Sequence, residues 1–220
     1  MFNMTEILSL IHKEFRMEWR NKTMLTGILI YVVSTVFICY MTFKQIIDIP
    51  TWNALFWIIM VFAAVNAVAR SFMQESRGVQ LYYYTLLNPT SVIIAKIIYN
   101  SVLLIGVSII NFIFYSLFLG QNVQDMLMFL VGLILGSTGL ATILTLVSAI
   151  AARANNSPSL MAILSFPILI PLLMTLLRFS KNAVDGISWA VNFNYAMILL
   201  ALITIVITLS YLLFPYLWRE

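Results

Sequence analysis

Six long apolar runs alternate with short polar breaks along these 220 residues. Each run is long enough to cross a bilayer as a helix, which takes about 20 residues at a rise of about 1.5 Å each. The runs are expected over roughly 23–43, 52–69, 91–119, 126–152, 158–177 and 190–217. Ahead of them the rhythm changes. Met4, Ile7, Leu8, Ile11, Phe15 and Trp19 recur at spacings of three and four, with Lys13, Arg16 and Arg20 on the other side. That pattern predicts an amphipathic helix within residues 1–22, lying on the membrane surface with Trp19 at headgroup level. Between the runs, Lys44 to Trp52 reads as an outer turn marked by Asp48 and Pro50, and Gly120 to Asp125 as a second. Ala154-Asn155-Asn156 is a short inner loop, and Ser157-Pro158 restarts a helix with Ser as cap and Pro at its first position. Arg178 to Ser188 reads as the largest outer loop, turning at Asp185-Gly186.

One break is longer than a connection needs. From Arg70 to Lys96 the chain reads RSFMQESRGVQLYYYTLLNPTSVIIAK. Met73 to Leu87 is expected to form a short helix that Asn88-Pro89 ends, and Thr90 or Ser91 then caps the helix that re-enters the bilayer. Lys96, one turn inside that helix, is expected to snorkel to the headgroups. A polar connection of this length, carrying Tyr82, Tyr83 and Tyr84, offers a surface to a cytosolic partner.

Composition and charge place the whole chain in a membrane. It is 62% hydrophobic and 9% charged, with a mean hydropathy of +1.00, and a soluble shell needs far more charge. One all-α integral membrane domain over 1–220 is expected. Of its 12 basic residues, Lys13, Arg16, Arg20, Lys22, Arg70, Arg77, Lys96, Arg153 and Arg219 fall on one side of the six runs, and only Lys44, Arg178 and Lys181 on the other. Basic residues accumulate in short cytoplasmic loops, so this asymmetry puts residues 70–90 and both termini in the cytoplasm. The net charge of +4 is scattered and forms no nucleic-acid stripe. Cys39 is the only cysteine, which excludes an intramolecular disulfide and reads as a small buried side chain. A cleaved signal peptide is not expected, since charge extends to Lys22 and the run after it is long enough to span.

The chemistry that is missing narrows the function. No Asp, Glu or His lies in any run, whereas ion-coupled pumps hold such groups at membrane depth. No G-x-x-x-x-G-K-[ST] loop exists to cradle ATP phosphates, nor any metal-ligand cluster or catalytic triad, so energy for work has to come from another polypeptide. His12 reads as an interfacial histidine, with a metal or haem ligand as the other reading. Asn66, Asn100 and Asn111 fit hydrogen bonds between helices, or else a substrate path. Gly132, Gly136 and Gly139 let two helix backbones approach closely, within the chain or across a dimer. Pro167 and Pro171 remove two backbone donors mid-run and are expected to kink that helix and let it flex.

These features together resemble the membrane subunits of ABC-2-type transporters and, within them, the CcmB family of haem exporter subunits. The resemblance is most specific in Ala69-Arg70-x-Phe72-x-x-Glu75-x-x-x-x-Gln80 through Leu87-x-Pro89 to Ala95-Lys96, in Leu135-Gly136-Ser137-Thr138-Gly139-Leu140, and in Pro167-Ile168-Leu169-Ile170-Pro171-Leu172. It covers essentially the whole length. Val79-Gln80 and the tyrosine run stand where Leu-Glu is expected after Gly78. The resemblance implies a homodimer in the bacterial inner membrane. Each copy would dock a CcmA-like ATPase through a coupling helix, using Arg70, Phe72, Glu75, Arg77, Gly78, Tyr82, Tyr83, Tyr84, Leu87 and Pro89. ATP and magnesium would sit on that ATPase, and this chain would bind no cofactor of its own. CcmC, CcmD and the haem chaperone CcmE would be further partners, with haem as transported or partner-held cargo. An exporter of lipid, polysaccharide or drug, and a scaffold that transports nothing, are the alternatives.

Overall fold

Apolar runs of this length have to satisfy every backbone group internally, which helices do. A computed structural model of the chain describes residues 4–20, 22–43, 47–68, 72, 87–120, 123–153 and 158–219. Among the described residues there are seven helices and no strand: α1 (Met4–Arg20), α2 (Lys22–Phe43), α3 (Ile49–Val68), α4 (Pro89–Leu119), α5 (Met126–Arg153), α6 (Pro158–Val184) and α7 (Trp189–Arg219). Six of these, α2 to α7, are long and apolar enough to cross a membrane.

The bundle is built around α5, which packs against α3, α4, α6 and α7. Its sequence explains why. Gly132, Gly136 and Gly139 form one stripe of α5, and a Cβ added at each would meet Phe179, Leu176 or Leu172 of α6 at 2.7–3.0 Å. At Gly136 it would also meet the Trp57 ring of α3, at 2.5 Å. The close approach expected of these glycines is thus made within the chain, where dispersion contacts have to replace the absent hydrophobic drive. Around that seam Trp52, Phe56, Trp57, Tyr115, Phe129 and Phe179 are buried together, with Trp52 edge-on to Tyr115 at 5.0 Å and Phe56 to Phe129 at 5.6 Å. Trp57 and Tyr115 have polar partners, whereas the buried Trp52 Nε1 has none among the described residues. Trp57 Nε1 donates to Ser180 Oγ at 2.9 Å, Ser180 Oγ donates to Asn53 Oδ1 at 2.8 Å, and Tyr115 OH donates to the Trp52 carbonyl at 2.8 Å.

Several boundaries move from their expected places. The fifth span does not end at residue 177 but runs to Val184, because Phe179, Ser180, Ala183 and Val184 are buried against the bundle. The large outer loop shrinks accordingly to 185–188. Gly186 takes a positive φ of 69°, and the Ile187 amide returns to the Asn182 carbonyl at 2.9 Å, the six-to-one closure of a glycine-ended helix. The second span starts at Ile49 rather than 52, with Pro50 inside its first turn. Asp48 accepts from the Thr51 amide at 3.4 Å, and hydrogen bonds from the Thr51 side chain and then from backbone amides hold its carboxyl below the usual range. Asp125 likewise accepts from the Met128 amide at the start of α5. The expected loop at 154–156 and the Ser157 cap lie outside the described residues.

Gly136→Ala is expected to destabilise the chain by about 1–3 kcal/mol through overpacking against Trp57 and Leu176. Gly106→Ala, where no atom lies within 4 Å of the added Cβ, should leave the thermal midpoint of the detergent-solubilised protein unchanged or raised. Equal midpoints for the two variants would refute this account of the α5 seam.

Candidate functional site at the α1–α4 junction

The sequence points to residues 70–89, and three of its candidates are described: Phe72, Leu87 and Pro89. Arg70, Glu75, Arg77, Gly78, Tyr82, Tyr83 and Tyr84 lie outside the described residues, as does most of the expected Met73–Leu87 helix. What the structure gives is the ground on which both ends of that segment stand.

At its far end, α4 opens with Pro89 at the first helical position and Asn88 as the capping residue, so the cap falls two or three residues earlier than the expected Thr90 or Ser91. Asn88 makes no side-chain cap of its own. Instead Glu6, on α1, reaches across. Its Oε1 accepts from the Asn88 backbone amide at 2.9 Å, and its Oε2 from Asn88 Nδ2 at 3.3 Å and Ser91 Oγ at 3.2 Å. A carboxylate suits this position, because the first turn of a helix leaves amides unbonded and carries a partial positive charge.

At its near end, Phe72 is buried, 5.5 Å from the Phe214 ring of α7. Above it lies Lys96. The expectation that Lys96 snorkels is wrong, for it is only 2% exposed. Its Nζ sits 4.7 Å from the centre of the Phe72 ring and 3.4 Å from Glu14 Oε1. The anionic partner and the aromatic face supply what water would otherwise provide, so the ammonium has no need to extend to the headgroups. Lys13 Nζ approaches the same Glu14 oxygen at 2.9 Å. Burial raises the Glu14 pKa, but Lys96 and then Lys13 outweigh it and hold the carboxyl below its ordinary value.

The face of α1 that does this overlaps the expected stripe only in part, at Ile7 and Ile11. Ile7 and Leu10 are buried with Val92, Ile93, Ala95, Ile97, Ala149 and Phe214, whereas Met4, Leu8 and Phe15 of the expected stripe are exposed. Phe15 still meets Tyr99 of α4 edge-on at 5.1 Å. The helix is therefore docked on its own chain as well as amphipathic. Sequence reasoning passed over Glu6 and Glu14 because attention rested on the widest apolar stripe. The signal was present, since at about 3.6 residues per turn both glutamates share the arc of Ile7 and Leu10. His12 Nε2 accepts from Arg16 Nη2 at 3.0 Å on the outer side of α1.

The membrane-depth asparagines have separate settings. Asn100 Nδ2 donates to Thr145 Oγ1 at 2.8 Å across the α4–α5 seam, and Asn66 donates to the Phe62 carbonyl of its own helix. Asn111 is fully buried, and neither end of its amide has a hydrogen-bond partner among the described residues. Pro167 and Pro171 both lie within an uninterrupted α6, and Thr175 Oγ1 donates to the Pro171 carbonyl at 2.9 Å.

The Glu14 shift predicts acid release of α1. A carboxyl whose pKa is lowered on folding contributes stability that is full above its ordinary value of 4.5 and is lost as pH falls through the lowered one. A nitroxide attached at the exposed Ser9, in a Cys39→Ser background, should gain mobility across that acidic window. Glu14→Gln should show the mobile spectrum already at neutral pH. A spectrum that ignores both acid and the substitution would exclude the ion pair as the fastening.

Comparison with known families matches the chain to one of them, described as CcmB protein, over residues 5–216. No curated protein matches it. The match takes in α1, all six spans and the segment between α3 and α4, and leaves out only four residues at either end. The chain therefore belongs to the CcmB family, the membrane subunits of the haem exporter.

Proposed function

We propose that this permease subunit converts ATP hydrolysis by a separate CcmA-like ATPase into release of haem-loaded CcmE. Residues 70–90 dock the ATPase on the cytoplasmic side of the inner membrane, with Glu75, Arg77 and the Tyr82–Tyr84 run as the contact surface and Arg70, Phe72, Gly78, Leu87 and Pro89 setting its position. ATP and magnesium belong to the ATPase. Two copies of the chain pair, CcmC and CcmD join them, and haem is cargo. Closure of the ATPases displaces the docking segment and re-packs the spans as rigid bodies. Pro167 and Pro171 give α6 its freedom to flex, since each removes a backbone donor. The glycine stripe of Gly132, Gly136 and Gly139 keeps α6 in contact with α5 while it does so.

The observation that carries this reading is the rooting of the segment. Phe72 at one end and Leu87–Asn88 at the other meet the same α1–α4 junction, so a push between them bears on spans rather than on solvent. Membership of the CcmB family supports the reading of the chain as a membrane subunit of the haem exporter system.

Co-purification in detergent tests the docking step. Glu75→Lys and Tyr83→Ala should each reduce recovery of the cognate ATPase at least about tenfold, equivalent to about 1.4 kcal/mol of binding. Recovery equal to wild type in every segment variant would remove the docking claim. Haem staining of c-type cytochromes in a deletion strain tests the cargo: their loss is expected, and normal levels would point to an exporter of lipid, polysaccharide or drug. Pro167→Ala combined with Pro171→Ala should alter ATP turnover of the assembled complex, whereas a scaffold would not respond.

A further inference from the structure

Charge is sorted across α1. The helix carries three acidic side chains, Glu6, Glu14 and Glu18, and all three turn toward their own chain. Glu6 reaches Asn88 and Ser91, Glu14 meets Lys96, and Glu18 has a buried carboxyl oxygen. The outer side is left basic. A shallow recess of about 220 Å³ there is lined by Ser9, His12, Lys13, Arg16 and Met17, with no acidic side chain among them.

Arg16 is exposed, and its Nη2 donates to His12 Nε2 at 3.0 Å. An imidazole that accepts at Nε2 is neutral and carries its hydrogen on Nδ1. The guanidinium therefore keeps its full charge, and among the described residues no carboxylate pairs with it. Lys13 shares its charge with Glu14, and Ser9 Oγ is given to the Glu6 carbonyl at 2.8 Å. What the recess offers is one unneutralised planar fork of donors beside an imidazole N–H, a set that matches phosphate oxygens.

Next to the recess around the helix lie Met4, Leu8 and Phe15, all exposed. At about 3.6 residues per turn they fill the arc between the docked face and His12. Phe15 meets Tyr99 of α4 at 5.1 Å, and from there the exposed Ile98, Val102 and Ile109 continue the apolar flank along a span. The arc thus runs into the surface of α4 that hydrocarbon covers. An occupant of both arcs is apolar along one and anionic at the other, as a phospholipid is.

We propose that α1 holds an anionic phospholipid, its phosphate on Arg16 and His12 and its acyl chains along Met4, Leu8 and Phe15. Lys13 adds to the field without being a principal donor. The helix is then gripped on two sides, by α4 through its glutamates and by the bilayer through its cations.

Thermal unfolding of the full-length chain in a neutral detergent tests the site, with short-chain phosphatidylglycerol, phosphatidylcholine of the same chains, or inorganic phosphate added. Phosphatidylglycerol should raise the midpoint saturably, and the other two should not. Arg16→Gln combined with His12→Asn, both exposed positions, should keep the lipid-free midpoint and weaken the apparent phosphatidylglycerol affinity at least about fivefold, the worth of about one basic side chain at an anionic surface. Met4→Ser with Leu8→Ser should weaken it as well. Arg178→Gln, which removes an exposed arginine at the other end of the bundle, should leave it unchanged.

Equal stabilisation by phosphatidylcholine would reduce the arc to an ordinary detergent-covered face, and equal stabilisation by inorganic phosphate would make the recess an ion site; either overturns the proposal. So would no response to phosphatidylglycerol, an affinity indifferent to the double variant, or the same loss in Arg178→Gln. If the double variant unfolds early, wild type still decides. Its preference for phosphatidylglycerol should vanish in roughly 1 M salt, where charges are screened within about 3 Å, and a preference that survives would exclude the guanidinium as its source.

Discussion

Close approach of α5 to α6 and α3, made possible by three glycines, is the constraint on which the rest of the bundle depends. In lipid no hydrophobic penalty pushes helices together, so contact has to be gained atom by atom. At Gly136 the space a methyl group would need is filled by Trp57 and Leu176. Once that seam is shut, Trp57 lies in reach of Ser180, Ser180 in reach of Asn53, and the aromatic cluster closes over them. The polar atoms are satisfied only because the backbones are near.

The two ends of the bundle solve different problems. The end bearing Trp52, Tyr115 and Phe129 is closed by neutral hydrogen bonds and by edge-on and tilted rings. The end bearing Lys96 is closed by charges, two of them carboxylates brought in by α1. Neutral packing holds a fixed shape, whereas ion pairs at a partly wet surface can be exchanged and re-formed.

Much of the fold could be read from the chain because lipid punishes irregularity. Six long apolar runs admitted little besides six helices, and the boundaries that slipped did so where burial, not composition, decides. Arg178 and Lys181 look like loop residues, yet Phe179, Ser180, Ala183 and Val184 between and beyond them are core, so the helix carries its charges outward and continues. The site was legible in part. Phe72 and Pro89 declared themselves through the polar break, but Lys96 was misplaced because a lysine near a helix end ordinarily finds water. Its true partner, Glu14, is 82 residues away in sequence. No local pattern pairs two such residues; only the docking of α1 does. Pro50 misled for a related reason, since proline marks both a loop and the first turn of a helix.

Consider finally the long seventh helix. Among the described residues, one flank of α7 packs on the bundle through Leu199, Val206, Ser210 and Phe214, while Phe193, Met197, Leu200, Ile205 and Leu212 look away from it. Side chains on that outward flank are exposed with respect to the described residues. Replacing one apolar residue there with another of similar bulk leaves the tertiary structure with nothing to notice. Any phenotype from such a swap is consequently a message about neighbours, be they lipids or other subunits, and α7 becomes the natural surface on which to map the company this protein keeps.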